Sequence, residues 1–160
     1  MNQPLSTYFH VGIIVKDLEQ GMRDYSQLMG LTWTTPNIFE IPILEDPKPH
    51  AHELLAVFSR EGPPYYELIQ ASGAGIFSVK YCDCIHYVGI YDADIPARIA
   101  AFRTANHSID ATLKNSAGEP FGLVTAPGSL GIRLEYVDLS ARPAIEEWVQ
   151  TGIFPGKVAE

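Results

Sequence analysis

Tyr8-Phe9-His10-Val11-Gly12-Ile13-Ile14-Val15 runs straight into Lys16-Asp17-Leu18, and a second stretch, Cys84-Ile85-His86-Tyr87-Val88-Gly89-Ile90-Tyr91, is followed by Asp94-Ile95. Both stretches are β-branched and apolar, which reads as a buried strand. Each is followed by an aspartate placed to cap a helix. After Asp17, Gln20 completes a capping-box pattern, Leu18, Met22, Tyr25 and Leu28 form an apolar stripe at helical spacing, and Gly30 ends the helix. After Asp94 the stripe is Ile95, Ile99 and Phe102, with Pro96 in the first turn and Asn106 as the terminating residue.

Working outward, the first unit continues with a short strand at 31–34 and strands at 53–59 and 65–70. Between them lies a stretch, 36–52, that holds Pro36, Pro42, Pro47 and Pro49. Those prolines predict an irregular excursion, a candidate lid or specificity loop. The second unit continues with strands at 109–113, 121–125 and 132–137, and a short helix at 143–150 closes the chain. The whole therefore reads as an internal repeat of two βαβββ units. Laying His86 over His10 requires one inserted residue. The expected fold class is α+β. Residues 1–160 form one domain, made of a module at 7–71, a module at 83–138 and a helical tail at 141–160. One module leaves a sheet face bare, and pairing two of them covers it.

Composition limits the functions. A chain of 160 residues, 46% hydrophobic and 11% aromatic, can bury a real core. Its formal net charge of −8 repels phosphate backbones, so nucleic acid is not an expected partner. No apolar run reaches the roughly 18 residues of a membrane span, and residues 1–8 show no secretory pattern, so a cytoplasmic protein is expected. Cys82 and Cys84 stand too close in sequence for easy disulfide geometry, which fits reduced thiols.

The chemistry-bearing residues follow the repeat. Each first strand carries a histidine, His10 or His86. Each last strand carries a glutamate in an apolar setting, Glu67 in Tyr66-Glu67-Leu68 and Glu135 in Leu134-Glu135-Tyr136. Ionised carboxylates are seldom buried without a partner, and two imidazoles with two carboxylates make a normal shell for a divalent metal ion such as zinc, nickel, manganese, cobalt or iron.

These stretches resemble the vicinal oxygen chelate superfamily, which includes glyoxalase I, methylmalonyl-CoA epimerase, extradiol dioxygenases and bleomycin-resistance proteins. The resemblance spans about residues 8 to 138. It implies a U-shaped, partly open mixed sheet around one divalent metal ion, the glyoxalase-like arrangement. It also implies His10, Glu67, His86 and Glu135 as metal ligands, with Glu135 or Glu67 as the catalytic base. The epimerase ligand set is similar, with glutamine at the place of Glu67. Four protein ligands disfavour oxygenase chemistry. The expected activity is that of a metal-dependent lyase or isomerase stabilising an enediolate or enolate of a small, largely apolar oxo- or hydroxy-carbonyl substrate. The alternatives are a non-catalytic, resistance-type small-molecule-binding protein and an iron(II) extradiol-type dioxygenase. A homodimer is expected as well. No cation follows His10 or Glu67 where glyoxalase I holds glutathione, and Trp33, Tyr65, Tyr66, Tyr87 and Tyr136 are candidate pocket lining. Glu53 is a candidate second base, and His50 with His52 a weaker candidate metal pair.

Overall fold

The computed structural model describes residues 7–156, so residues 1–6 and 157–160, the ends of the expected domain and tail, lie outside the described residues. Strand β1 (Tyr8–Val15) leads to α1 (Leu18–Met29), then β2 (Asn37–Glu45), β3 (Pro49–Phe58) and β4 (Tyr65–Gln70). The second half repeats the order with β5 (Ile85–Asp92), α2 (Ile95–Thr104), β6 (Ile109–Lys114), β7 (Pro120–Thr125) and β8 (Arg133–Asp138), and α3 (Arg142–Thr151) ends it.

The helix starts are as expected. Asp17 accepts from the Gln20 amide at 2.7 Å and Asp94 from the Ala97 amide at 2.9 Å. Gln20 does not close the capping box, because its side chain turns to Asp24 instead. Gly30 and Asn106 take positive φ beyond their helices.

Within each half the first and last strands pair in parallel, β1 with β4 and β5 with β8. The halves then join within one chain along two seams, β1 antiparallel to β5 and β2 antiparallel to β6. Hydrogen bonding thus runs unbroken around the ring β1-β4-β3-β2-β6-β7-β8-β5. The α+β class and the paired βαβββ units hold, but the sheet closes where a partly open one was expected.

The stretch 36–52 is the second difference. It is most of the β2–β3 hairpin rather than an irregular lid, and residues 31–34 contribute only a bridge from Trp33 to Ser59. Each proline sits where no ladder N–H is needed: Pro36 before β2, Pro42 in the register break between Ile41 and Leu44, Pro47 in the turn and Pro49 at the first position of β3. The excursion therefore forms barrel wall.

Alternation sorts the side chains. Ile14, Leu44, Ala56, Ile69, Tyr87 and Val124 point inward and fill one end of the barrel. Ile13, Val15, Val57 and Leu68 point outward under α1, and Ile90, Leu123 and Tyr136 pack under α2. At the other end Phe9, Phe58, Tyr91, Ile145 and Trp148 form a second cluster, to which α3 contributes.

Candidate metal centre and the cavity beside it

His10 is on the inner face of β1, two positions before Gly12. Gly12 is paired with Glu67 on β4, and in the second half Gly89 is paired with Glu135 on β8. Parallel pairing puts a residue and its partner on the same face, so both carboxylates point into the barrel beside the imidazole. His10 Nε2 lies 2.9 Å from Glu135 Oε2 and 3.2 Å from Glu67 Oε2. All three side chains are buried. His10 Nε2 and Glu135 Oε2 thus meet as a buried ion pair without a well-aligned hydrogen bond.

His86 is not among them. It belongs to the outer face of β5, where its ring meets Tyr81 at 5.1 Å between centroids and both ring nitrogens lack a well-aligned partner. Burial, and then the charge of Arg133, lower its pKa to about 4, so the ring is neutral. The residue at the place matching His10 is Tyr87, two positions before Gly89. Its hydroxyl donates to Glu67 Oε2 at 2.8 Å. The two halves meet here as near mirror partners in the β1–β5 ladder, His10 opposite Gly89 and Gly12 opposite Tyr87. A Cβ on Gly89 would lie 1.9 Å from His10 Cε1, and one on Gly12 would lie 2.2 Å from Tyr87 Cε2. Each glycine vacates the space that the other strand's ring occupies. The signal for this was in the sequence: Val11-Gly12-Ile13 and Val88-Gly89-Ile90 align without a gap and put Tyr87, not His86, over His10.

The other candidates lie apart. Glu53 is exposed and opposite Glu40, on the outward face of β3. His50 Nε2 contacts Asp46 at 2.6 Å, which raises its pKa, and His52 contacts Ser72 Oγ at 3.0 Å. Among the described residues, the donor atoms brought within 4.8 Å of one another are those of His10, Glu67 and Glu135.

The electrostatics are those of one shared charge. Burial opposes a proton on His10, but its contacts with Glu135 and Glu67 outweigh that and raise its pKa to about 9. Burial raises the Glu135 carboxyl, with His10 pulling it back. Tyr87 is pushed far up by burial and then by the two carboxylates, so its hydroxyl stays protonated and donates. A first-row divalent cation bonded at about 2.0–2.2 Å separates neighbouring ligand atoms by roughly 3.0–3.5 Å. The separations from His10 to the two carboxylates come close to that spacing, and the lack of a well-aligned hydrogen bond and the hard oxygen–imidazole set fit such an ion.

Next to these residues is a cavity of about 280 Å³. Its walls include Phe9, Phe39, Phe58, Phe121, Trp148 and Phe154. None of the five aromatics expected to line it does so. Trp33 and Tyr66 pack on the outer side with α1, and Tyr136 lies under α2. Tyr65 packs beside Phe58, and Tyr87 reaches the site without lining the cavity.

Comparison with known proteins agrees with the fold. Residues 9–120 match the family model of the glyoxalase/bleomycin resistance protein/dioxygenase superfamily. The chain belongs to this superfamily. Among solved structures, this superfamily member is similar to a single-residue variant of methylmalonyl-CoA epimerase from Streptomyces coelicolor, in complex with 2-nitronate-propionyl-CoA. The identity is 19%, the TM-score 0.58, and the match covers 84% of this chain and 95% of that one. The epimerase from Mycobacterium tuberculosis matches at 17% identity and a TM-score of 0.56, over 91% and 96% of the two chains. No curated protein matches in sequence. Among the described residues, no helix is long and apolar enough to cross a membrane.

Proposed function

We propose that the protein is a metal-dependent lyase or isomerase of the glyoxalase/epimerase type, acting on a small oxo- or hydroxy-carbonyl compound. The observation that carries this reading is the buried convergence of His10, Glu67 and Glu135 on the wall of a cavity. A divalent cation held by these three would supply Lewis acidity toward a substrate oxygen. The chain supplies the rest. Glu135, with one oxygen free of hydrogen bonds and its carboxyl raised toward neutrality by burial, is the better placed base for a proton next to a carbonyl. Glu67 is steadied by the Tyr87 hydroxyl and keeps its orientation. The apolar walls exclude water from the reacting carbon.

A second reading has its own observation. With His10 protonated up to about pH 9, the three residues form a self-contained charge cluster that needs no ion, and Tyr87 replaces the second histidine. That arrangement suits a small-molecule-binding protein without catalysis. Elemental analysis of untagged protein separates the two. About one divalent ion per chain, lost in His10→Ala and Glu135→Ala and kept in His86→Ala, supports the enzyme. Protein that takes up no zinc, nickel, manganese, cobalt or iron sinks it.

A further inference from the structure

We infer that the ligand of this cavity is an uncharged, largely apolar carbonyl compound held beneath α3, and not a coenzyme A thioester or another anion. The inference deepens the proposed function and rests on it for the word carbonyl only. Among the described residues, the polar side chains turned into the cavity are those of His10, Glu67 and Glu135, two carboxylates with the imidazole against both, while Glu40 borders it from an exposed position opposite Glu53. No lysine or arginine among the described residues is on that wall. A phosphate or carboxylate entering here would meet negative charge in a low-dielectric setting and no compensating cation. Two described cations near the cap are engaged: Arg60 donates to the Val149 and Gln150 carbonyls, and Arg142 pairs with Glu146 at 2.7 Å.

Size points the same way. A cavity of about 280 Å³ is at the lower end of small-molecule sites and suits a compact ligand. The cap is built in. Ala141, Ala144, Ile145 and Trp148 of the closing segment, with Phe154 beyond it, face the cavity. Trp148 Nε1 donates to the Thr35 carbonyl at 3.1 Å, and the Thr35 amide donates to the Gly152 carbonyl at 2.7 Å. The end of α3 is thereby tied to the segment before β2. A ligand's oxygen end lies toward His10 and Glu135, and its apolar body lies against Trp148 and Phe39. Both rings of the wall suit a flat ring system.

Trp148 reports on the site directly. In a Trp33→Phe background it is the sole tryptophan, since the chain has two. Acetophenone, acetyl-CoA and pyruvate are titrated into this protein while Trp148 emission is followed. The expected result is saturable binding of acetophenone, one per chain, weakened at least tenfold by Ala144→Phe, with no saturable response to acetyl-CoA or pyruvate. Should Ala144→Phe fail to fold, Phe154→Ala, which removes a wall from the ring system, is expected to weaken acetophenone at least fivefold. Tighter binding of acetyl-CoA or pyruvate than of acetophenone overturns the inference, as does no saturable acetophenone response. Failure of the proposed function looks different: acetophenone binds, but no divalent ion does.

Discussion

Gly12 and Gly89 show how much of the centre depends on absent atoms. Each is opposed to a ring from the other half, and a methyl group at either would overlap that ring. Gly89→Ala should therefore push His10 off the inner face, destabilising the fold by about 1–3 kcal/mol and abolishing metal uptake. Urea midpoints together with metal content test this, and an unchanged midpoint would count against the packing described. His86 makes a separate prediction. Its pKa falls from 6.5 unfolded to about 4 folded, so the unfolded chain binds the extra proton between those values. The neutral ring's contribution is complete above about pH 6.5 and is lost as pH drops toward 4, on the order of 3 kcal/mol. His10, raised to about 9, has the opposite sense: its contribution persists in acid and fades as pH rises through 9. Replacing His86 with Phe should flatten the acid limb of stability measured by urea unfolding between pH 7 and pH 4.5. An acid limb as steep as the parent's would contradict the buried, neutral assignment.

At the scale of elements, α3 is the piece whose role exceeds its length. Its amphipathic face buries Ile145, Trp148 and Val149, and no basic residue of its own stands in the last turn. Arg60 fills that place from the loop after β3, donating to two of the orphaned carbonyls. Arg60→Ala should loosen the cap by about 1 kcal/mol, which raises amide exchange in residues 142–151 roughly fivefold. Exchange at the parent rate would show that Trp148 alone holds the helix. The β2–β3 hairpin has the converse lesson. Its prolines suggested disorder of direction, yet each falls at a strand start, a turn or a register break, so the hairpin keeps its ladder.

At the scale of the molecule, the two halves share rather than divide the interior. Ile14, Leu44, Tyr87 and Val124 come from both halves and pack together, and two strand seams cross between them. One cooperative unfolding transition is expected, with far-ultraviolet circular dichroism and tryptophan emission superimposing along a urea gradient. Two separated transitions would mean that the halves fold independently. What the sequence determined by itself was local and periodic: most of the strands, the Asp-capped helices, the repeat, and a glutamate in an apolar last strand of each half. These follow from side-chain alternation and capping chemistry, which act over a few residues. The ungapped Val11-Gly12-Ile13 and Val88-Gly89-Ile90 match already pointed to Tyr87, but the tertiary structure was needed to choose it over the gapped match to His86, because one residue of register moves a side chain to the other face. That single step put Tyr87 inside and His86 outside. Tertiary structure also decided the cavity wall, since Phe39, Phe121, Trp148 and Phe154 are far apart along the chain and meet only when the barrel closes and α3 folds across its end.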